Sequence, residues 1–341
     1  MKTYTTGKYV HIKKICNNYN HLEMLAIDQR PPIFNIIKQK KKNYNFDDVV
    51  KFKKHISQNL SKHSSAILMD PVYSIPNLIH TSKSNGLIVT LEDHAFAEKD
   101  KGRYSKNINN WTVEKIKKIG GDAVKVLAWY RPDADQKSIK HQKKYIEMIG
   151  KQCEKYDIPF LLELLVYPFK NETGYSKDYK EQQNKNQNHV IESVKEFSKV
   201  KYKVDIFKLE SPVDSSKLEK GTCTKATQEA FKKLSLATKD IPWVMLSSGM
   251  SKKSFYNCLK LAYKNGASGY LAGRTIWLDA FKDYPNYKKI TQSLRNESAN
   301  YVKKLNTLTK KNAQSLEKYL ANKLIQKKSK NCLLYTSPSP R

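Results

Sequence analysis

Eight short apolar runs recur along the chain, at 22–28, 65–70, 86–92, 122–129, 158–166, 204–210, 241–247 and 268–273, rich in β-branched or aromatic residues. Lysine-rich stretches with apolar residues at helical spacing separate most of them, at 111–119, 138–153, 189–197, 226–237 and 254–264. Continuous apolar runs alternating with amphipathic helices predict strands buried on both faces, hence a parallel sheet covered by helices. Eight such units in about 250 residues predict an α/β fold of the (β/α)8 TIM-barrel kind, a single domain. A doubly wound sheet is the alternative, but its glycine-rich first turn is missing: Asp28-Gln29-Arg30-Pro31-Pro32 follows the first run.

The expected organisation is an N-terminal extension or helix over 1–18, a barrel over 19–285, and basic helices over 286–330 that close it. Residues 331–341 read as a translated adapter sequence or a disordered tail, outside the fold. Polar stretches at 170–188 and 214–225 follow the fifth and sixth runs, where barrel loops either shape a site or vary freely.

Lys125 and Lys208 lie inside two of the runs, Asp122-Ala123-Val124-Lys125-Val126-Leu127 and Val204-Asp205-Ile206-Phe207-Lys208-Leu209-Glu210. A buried ammonium is costly unless it is paired or gives up its proton. A lysine without that proton attacks carbonyls and forms Schiff bases. The C-terminal ends of the runs are polar as well: Asp28, Asp70, Glu92, Glu163, Glu210, Ser247-Ser248-Gly249 and Gly273-Arg274. In a barrel these ends line one face, so their joint polarity predicts an active site there. One lysine can be the nucleophile while the second ammonium lowers its pKa, and a carboxylate on a neighbouring strand can move protons. Ser248-Gly249 and Gly273-Arg274 fall where barrels hold phosphate on backbone N–H groups and a helix N-terminus. Either lysine alone is as readily a salt-bridged core residue, with Glu210 the structural partner of Lys208 on the same strand face.

The 63 Lys+Arg against 32 Asp+Glu leave a formal charge of +31, which would draw nucleic acid, acidic membranes or phosphorylated substrates. Most of it is lysine spread over helical stretches with no nucleic-acid-binding signature, so it reads as a solvated face without a specific nucleic-acid partner. Five scattered cysteines (Cys16, Cys153, Cys223, Cys258, Cys332) argue against a disulfide framework and for a reducing compartment. With no signal core and no apolar stretch long enough to span a bilayer, the cytoplasm is expected and a membrane partner is not. The eight histidines show no metal-ligand pairing, so a site with neither metal nor cofactor is expected. Oligomeric state, homo-oligomers included, stays open.

Six segments together resemble the class I tagatose-1,6-bisphosphate aldolase family: Met24-Leu25-Ala26-Ile27-Asp28-Gln29-Arg30, Ile67-Leu68-Met69-Asp70-Pro71, Asp122-Ala123-Val124-Lys125, Pro159-Phe160-Leu161-Leu162-Glu163-Leu164-Leu165, Phe207-Lys208-Leu209-Glu210-Ser211-Pro212 and Leu246-Ser247-Ser248-Gly249. The resemblance spans about 19–277 and implies a metal-free aldolase on a (β/α)8 barrel. It implies Lys208 as the Schiff-base lysine, Glu163 as the proton shuttle and Lys125 as a cationic neighbour. Asp28 and Gln29 would contact substrate hydroxyls, with Glu92 and Glu210 further polar contacts. Ser248, Gly249, Gly273 and Arg274 would bind the phosphate of the dihydroxyacetone end. The implied partner is a small phosphorylated sugar. Segments 243–249 and 266–274 look closer to the sulfofructose-1-phosphate aldolases, which release a sulfonated aldehyde, so that substrate is the alternative. A basic polyanion-binding barrel without catalysis is the non-enzyme alternative, disfavoured because a binder has no need of a lysine inside a strand.

Overall fold

The computed structural model describes residues 4–99, 101–175, 185–219, 221 and 224–324. Each apolar run contains one strand: β1 (Leu22–Ala26), β2 (Ala66–Met69), β3 (Gly86–Thr90), β4 (Ala123–Trp129), β5 (Phe160–Leu165), β6 (Ile206–Leu209), β7 (Trp243–Leu246) and β8 (Gly269–Ala272). Every strand runs parallel to its sequence neighbours, and β8 pairs with β1, so the sheet closes into a barrel and leaves no edge. The five expected helical stretches are helices Val113–Lys118, Gln136–Lys155, Gln187–Phe197, Lys225–Thr238 and Lys252–Lys264.

Some elements have no counterpart in the sequence reading. Helices Pro31–Lys40 and Phe46–Leu60 fill the first crossover. The second starts at a capping box, in which Asn45 accepts from the Asp48 N–H and Asp48 accepts from the Asn45 N–H. A short antiparallel hairpin of Ala97–Lys99 and Gly102–Tyr104 stands in the loop after β3.

Side chains pointing outward from the strands, among them Leu25, Val89, Val126, Leu162, Phe207 and Met245, pack under the apolar faces of the helices in one large core. The inward row carries Met24, Leu68, Ile88, Ala123, Leu161, Ile206 and Val244. Below it, Tyr4 together with Ile12 and Ile15 of the N-terminal helix Thr6–Ile15 joins Leu316 and Leu320 of the C-terminal segment as a floor. Lys8 locks that floor to the barrel by pairing at 2.7 Å with buried Asp205, which also accepts the Phe160 N–H. The basic C-terminal region thus divides its work: Tyr287–Ser293, a π-helical turn and Ala299–Asn312 pack beside the barrel, and Glu317–Leu324 runs beneath it. The tail at 331–341 lies outside the described residues. Among the described residues no helix is long and apolar enough to cross a membrane.

Candidate active site

Alternation along the strands sends every second side chain into the barrel. Above the apolar inward row, the next positions are Lys125 on β4, Glu163 on β5 and Lys208 on β6. Strand register sets Glu163 directly opposite Lys208 and Thr90 opposite Lys125. Asp28 and Glu92 follow just beyond the ends of β1 and β3, so five ionisable groups from five strands meet at one height.

They form one connected network. The Lys125 ammonium lies 3.0 Å from Asp28 Oδ2, 2.6 Å from Glu92 Oε1 and 3.0 Å from Glu163 Oε2. Glu163 Oε2 is also 2.9 Å from the Lys208 ammonium, so a single carboxylate oxygen bridges the two lysines. Glu92 is further fixed by the Thr90 hydroxyl at 2.7 Å. Lys125 thus fills the place a cation would take among three carboxylates. Burial pushes its pKa down, but Asp28, Glu163 and Glu92 outweigh that and hold it well above the ordinary lysine value. Burial likewise pushes Asp28 up, yet Lys125, Lys208 and Arg30 bring its carboxyl down to about 2. Lys125 is therefore held charged, and Lys208 touches only Glu163 among these carboxylates.

Two cavities meet at Lys208. The larger, about 560 Å³, is lined by Asp28, Gln29, Glu92, Lys125, Glu163 and Lys208 together with Arg30, Pro31, Pro32, Asp93, His94, Leu127 and Trp129. The smaller, about 230 Å³, is lined by Gln29 and Lys208 with Ser247, Ser248, Gly249, Gly273 and Arg274. Together they form one polar recess at the mouth of the barrel, with Lys208 and Gln29 on both walls. In the smaller one, Ser248 and Gly249 both take left-handed backbone angles (φ 47° and 84°), which turns the chain sharply between β7 and its helix. The Ser248 hydroxyl is buried without a hydrogen-bond partner among the described residues. A Cβ on Gly273 would come within 2.6 Å of the Ala26 carbonyl oxygen, so only glycine lets β8 approach β1 there.

Three sequence expectations need correction. Asp70 does not face the cavities: its carboxylate accepts from Lys53, from the Ser74 hydroxyl and from the Val72 and Tyr73 N–H groups, which ties down the loop after β2. Glu210 is also absent from both cavity walls and is not the partner of Lys208. It lies one residue past β6, accepts the Val166 N–H at 2.7 Å and pairs with buried Lys185 at 3.0 Å. Finally, the helix after β8 is only Arg274–Trp277, too few aligned peptides to build an appreciable dipole. Any anion bound there would rely on the Ser248 hydroxyl, Arg274 and loop N–H groups.

Other lining residues were not singled out from the sequence as site residues. Arg30 is buried and donates from Nη2 to the Glu92 carbonyl at 3.2 Å. Trp129 forms a wall whose far side is held by Arg103, a fully buried guanidinium caged by Phe96, Trp129 and Tyr167 at 4.2–4.6 Å. This clamp joins the hairpin after β3 to the ends of β4 and β5.

A lysine–carboxylate cluster at the C-terminal mouth of a closed (β/α)8 barrel has the groups that carbonyl chemistry uses. The chain matches the DeoC/LacD family of aldolases over residues 22–279 and belongs to that family; it is an aldehyde-lyase. It is 33% identical over 285 residues to tagatose 1,6-diphosphate aldolase 1 of Enterococcus faecalis, covering 82% of this chain and 86% of that one. It is 32% identical over 325 residues to the tagatose 1,6-diphosphate aldolase of Listeria innocua, covering 93% and 92%. Among solved structures, an archaeal fructose 1,6-bisphosphate aldolase superposes with a TM-score of 0.58 at 13% identity, covering 89% of this chain and 99% of that one. The fructose-bisphosphate aldolase of Plasmodium falciparum superposes at 0.63 with 12% identity, covering 92% and 97%. These structural likenesses establish the barrel fold.

Proposed function

We propose that this enzyme is a class I aldolase that cleaves D-tagatose 1,6-bisphosphate to dihydroxyacetone phosphate and glyceraldehyde 3-phosphate through a Schiff base on Lys208. The observation that carries this reading is the bridging oxygen of Glu163, 2.9 Å from Lys208 and 3.0 Å from Lys125. Lys208 passes a proton to Glu163 and its lone pair attacks the C2 carbonyl. The carbinolamine loses water to give an iminium. Glu163, again a carboxylate, takes the proton of the C4 hydroxyl, and the C3–C4 bond breaks as its electrons move onto the iminium. Glyceraldehyde 3-phosphate leaves as C4 becomes an aldehyde. The enamine takes a proton at C3, and water hydrolyses the iminium to free dihydroxyacetone phosphate and Lys208.

In this scheme Lys125 stays charged throughout, which keeps Glu163 ionised between proton transfers. Asp28 and Gln29 meet the substrate hydroxyls, and Glu92 orients Lys125. Ser248, Gly249, Gly273 and Arg274 hold the C1 phosphate in the smaller cavity, and Glu210 acts at one remove by fixing the strand ends. The names carried by the relatives favour the bisphosphate over the sulfonated ketose. The polyanion-binding alternative gains nothing from Lys125 and Lys208, whose charges are spent inside the barrel.

Borohydride trapping with dihydroxyacetone phosphate, followed by peptide mapping, tests the assignment. The expected result is a reduced adduct on Lys208. An adduct on Lys125 would exchange the two lysine roles, and turnover without any adduct would overturn the Schiff-base mechanism.

A further inference from the structure

A second set of ionisable groups stands at the other end of the barrel, where the strands begin. Asp122 immediately precedes β4 and is buried. Its Oδ2 accepts the Leu87 N–H of β3 at 2.9 Å, which fixes the carboxylate. Its Oδ1 lies 2.9 Å from Nδ1 of His11, on the N-terminal helix Thr6–Ile15. The other ring nitrogen, Nε2, is 2.7 Å from the Lys117 ammonium of helix Val113–Lys118. An ammonium can only donate, so Nε2 accepts and the imidazole proton sits on Nδ1, facing Asp122. Carboxylate, imidazole and amine thus follow one another, each supplied by a different element.

The contacts of Lys117 set it apart from its neighbours. Among the described residues it has no carboxylate at ion-pair distance; it donates to the His11 ring and to the Asp157 carbonyl at 3.2 Å. The Asp157 carboxylate turns instead to the Thr5 hydroxyl. Docking of the N-terminal helix is already served by the ion pair of Lys8 with Asp205. Lys14 reaches Asp122 Oδ1 at 3.5 Å, but its side chain is 59% exposed and its charge is spent largely on water. In the same helix as Lys117, Lys118 pairs with Glu114 at 2.7 Å and Lys115 donates to the Asn110 carbonyl. Neither faces a base.

We propose that Lys117 is a modification site that takes an acyl group from a thioester, with His11 as general base and Asp122 holding that base in the reactive tautomer. A carboxylate–imidazole pair aimed at a nucleophile activates hydroxyls and thiols, and the same pairing serves an amine. One Lys117 proton passes to His11 Nε2, and Asp122 stabilises the imidazolium. The freed Nζ lone pair bonds to the acyl carbon, and the carbon–sulfur bond breaks. The thiolate leaves with the proton from His11, a second Nζ proton goes to water, and Lys117 becomes an uncharged amide.

The test incubates the full-length enzyme with acetyl-coenzyme A and follows acetylation of Lys115, Lys117 and Lys118 by mass spectrometry. Lys115 and Lys118 are internal controls, and both are more exposed than Lys117, so accessibility alone favours them. The expected initial rate at Lys117 exceeds theirs about 10- to 100-fold, at or below the lower end of what a positioned general base contributes, because imidazole is a weaker base than the amine. His11→Phe, which keeps a packed ring, should bring Lys117 within twofold of the controls. Asp122→Asn, which can still accept the Leu87 N–H, should fall between. Unchanged kcat/KM for cleavage serves as the check on folding. If His11→Phe does not fold, His11→Gln, which accepts a hydrogen bond but takes up no proton, carries the same comparison. A wild-type preference for Lys117 below about fivefold, or one that survives loss of the imidazole, overturns the proposal.

Discussion

Replacing Lys125 with methionine removes the ammonium that Asp28, Glu92 and Glu163 share at 3.0, 2.6 and 3.0 Å, while keeping most of the side-chain volume. Three carboxylates then face one another inside the barrel, with the Lys208 contact to Glu163 remaining. Removing one partner of a buried ion pair costs about 3–5 kcal/mol. Asp28 supplies an independent figure, because its carboxyl stands at about 2 instead of 3.8 against the upward push of burial. That depression is worth roughly 2 kcal/mol at neutral pH, present above the unfolded-state pKa and lost as pH falls through the folded one. In the variant the sign reverses. Carboxylates whose folded pKa is raised above the unfolded value destabilise the protein most at high pH and recover as they take up protons. Urea unfolding of both proteins at pH 7 and pH 5 should show a deficit of about 3 kcal/mol at pH 7 that narrows at pH 5. A deficit under about 1 kcal/mol at pH 7, the range of an exposed pair, or one equal at both pH values, refutes the shared-cation account.

Three further outcomes follow from the same geometry. Glu163→Gln cannot accept the C4 hydroxyl proton, so single-turnover cleavage should fall about 10²- to 10⁴-fold while the fold is retained; a rate within threefold of the wild type would falsify its assignment as the shuttle. Gly273→Ala places a Cβ 2.6 Å from the Ala26 oxygen and 2.8 Å from Gln29 Nε2, and the resulting separation of β8 from β1 should raise KM for dihydroxyacetone phosphate in the condensation direction roughly tenfold, an effect that unchanged kinetics would exclude. Leu320→Ala, in the floor, should lower stability by about 2–5 kcal/mol in denaturant melts with kcat/KM unaltered at 25 °C, and a matching loss of kcat/KM in the folded variant would show that the floor bears on the mouth.

The barrel was legible because its strands are covered on both faces: runs such as Pro159-Phe160-Leu161-Leu162 have no polar side to confuse with a loop. Lys125, Glu163 and Lys208 stood out for the same reason, as charges where none is tolerated without a partner. Helix Phe46–Leu60 is equally readable, from the Asn45–Asp48 capping box and apolar Val49, Phe52, Ile56 and Leu60 at helical spacing. Other features lie beyond pattern. The strands of the hairpin at 97–104 are three residues each, too short for a period to register. Arg30 follows Asp28-Gln29 and precedes two prolines like any exposed turn residue; only the tertiary fold brings its guanidinium against the Glu92 carbonyl. Glu210 shares the strand face of Lys208, yet the strand ends at Leu209 and the carboxylate turns to the Val166 N–H. The bridging role of the Glu163 oxygen depends on the rotamers of three side chains, which spacing does not encode.

The aromatic cage around Arg103 makes the mouth a rim of two unequal pieces. Phe96 from beyond β3, Trp129 at the end of β4 and Tyr167 from beyond β5 are laced to one guanidinium, and Tyr175 reaches back to Glu98 at 2.5 Å. Opposite them, the loops after β7 and β8 are joined by the Thr275 hydroxyl donating to the Met250 carbonyl at 2.8 Å. Lys208 stands at the seam, and in the proposed reaction the sugar is broken across it. The fragment still bonded to Lys208 stays with the β7–β8 piece, while the freed aldehyde rests against the laced one. Departure order then follows from the tether: the aldehyde is free to leave past the laced side first, and the second product waits for water to cut its bond to Lys208.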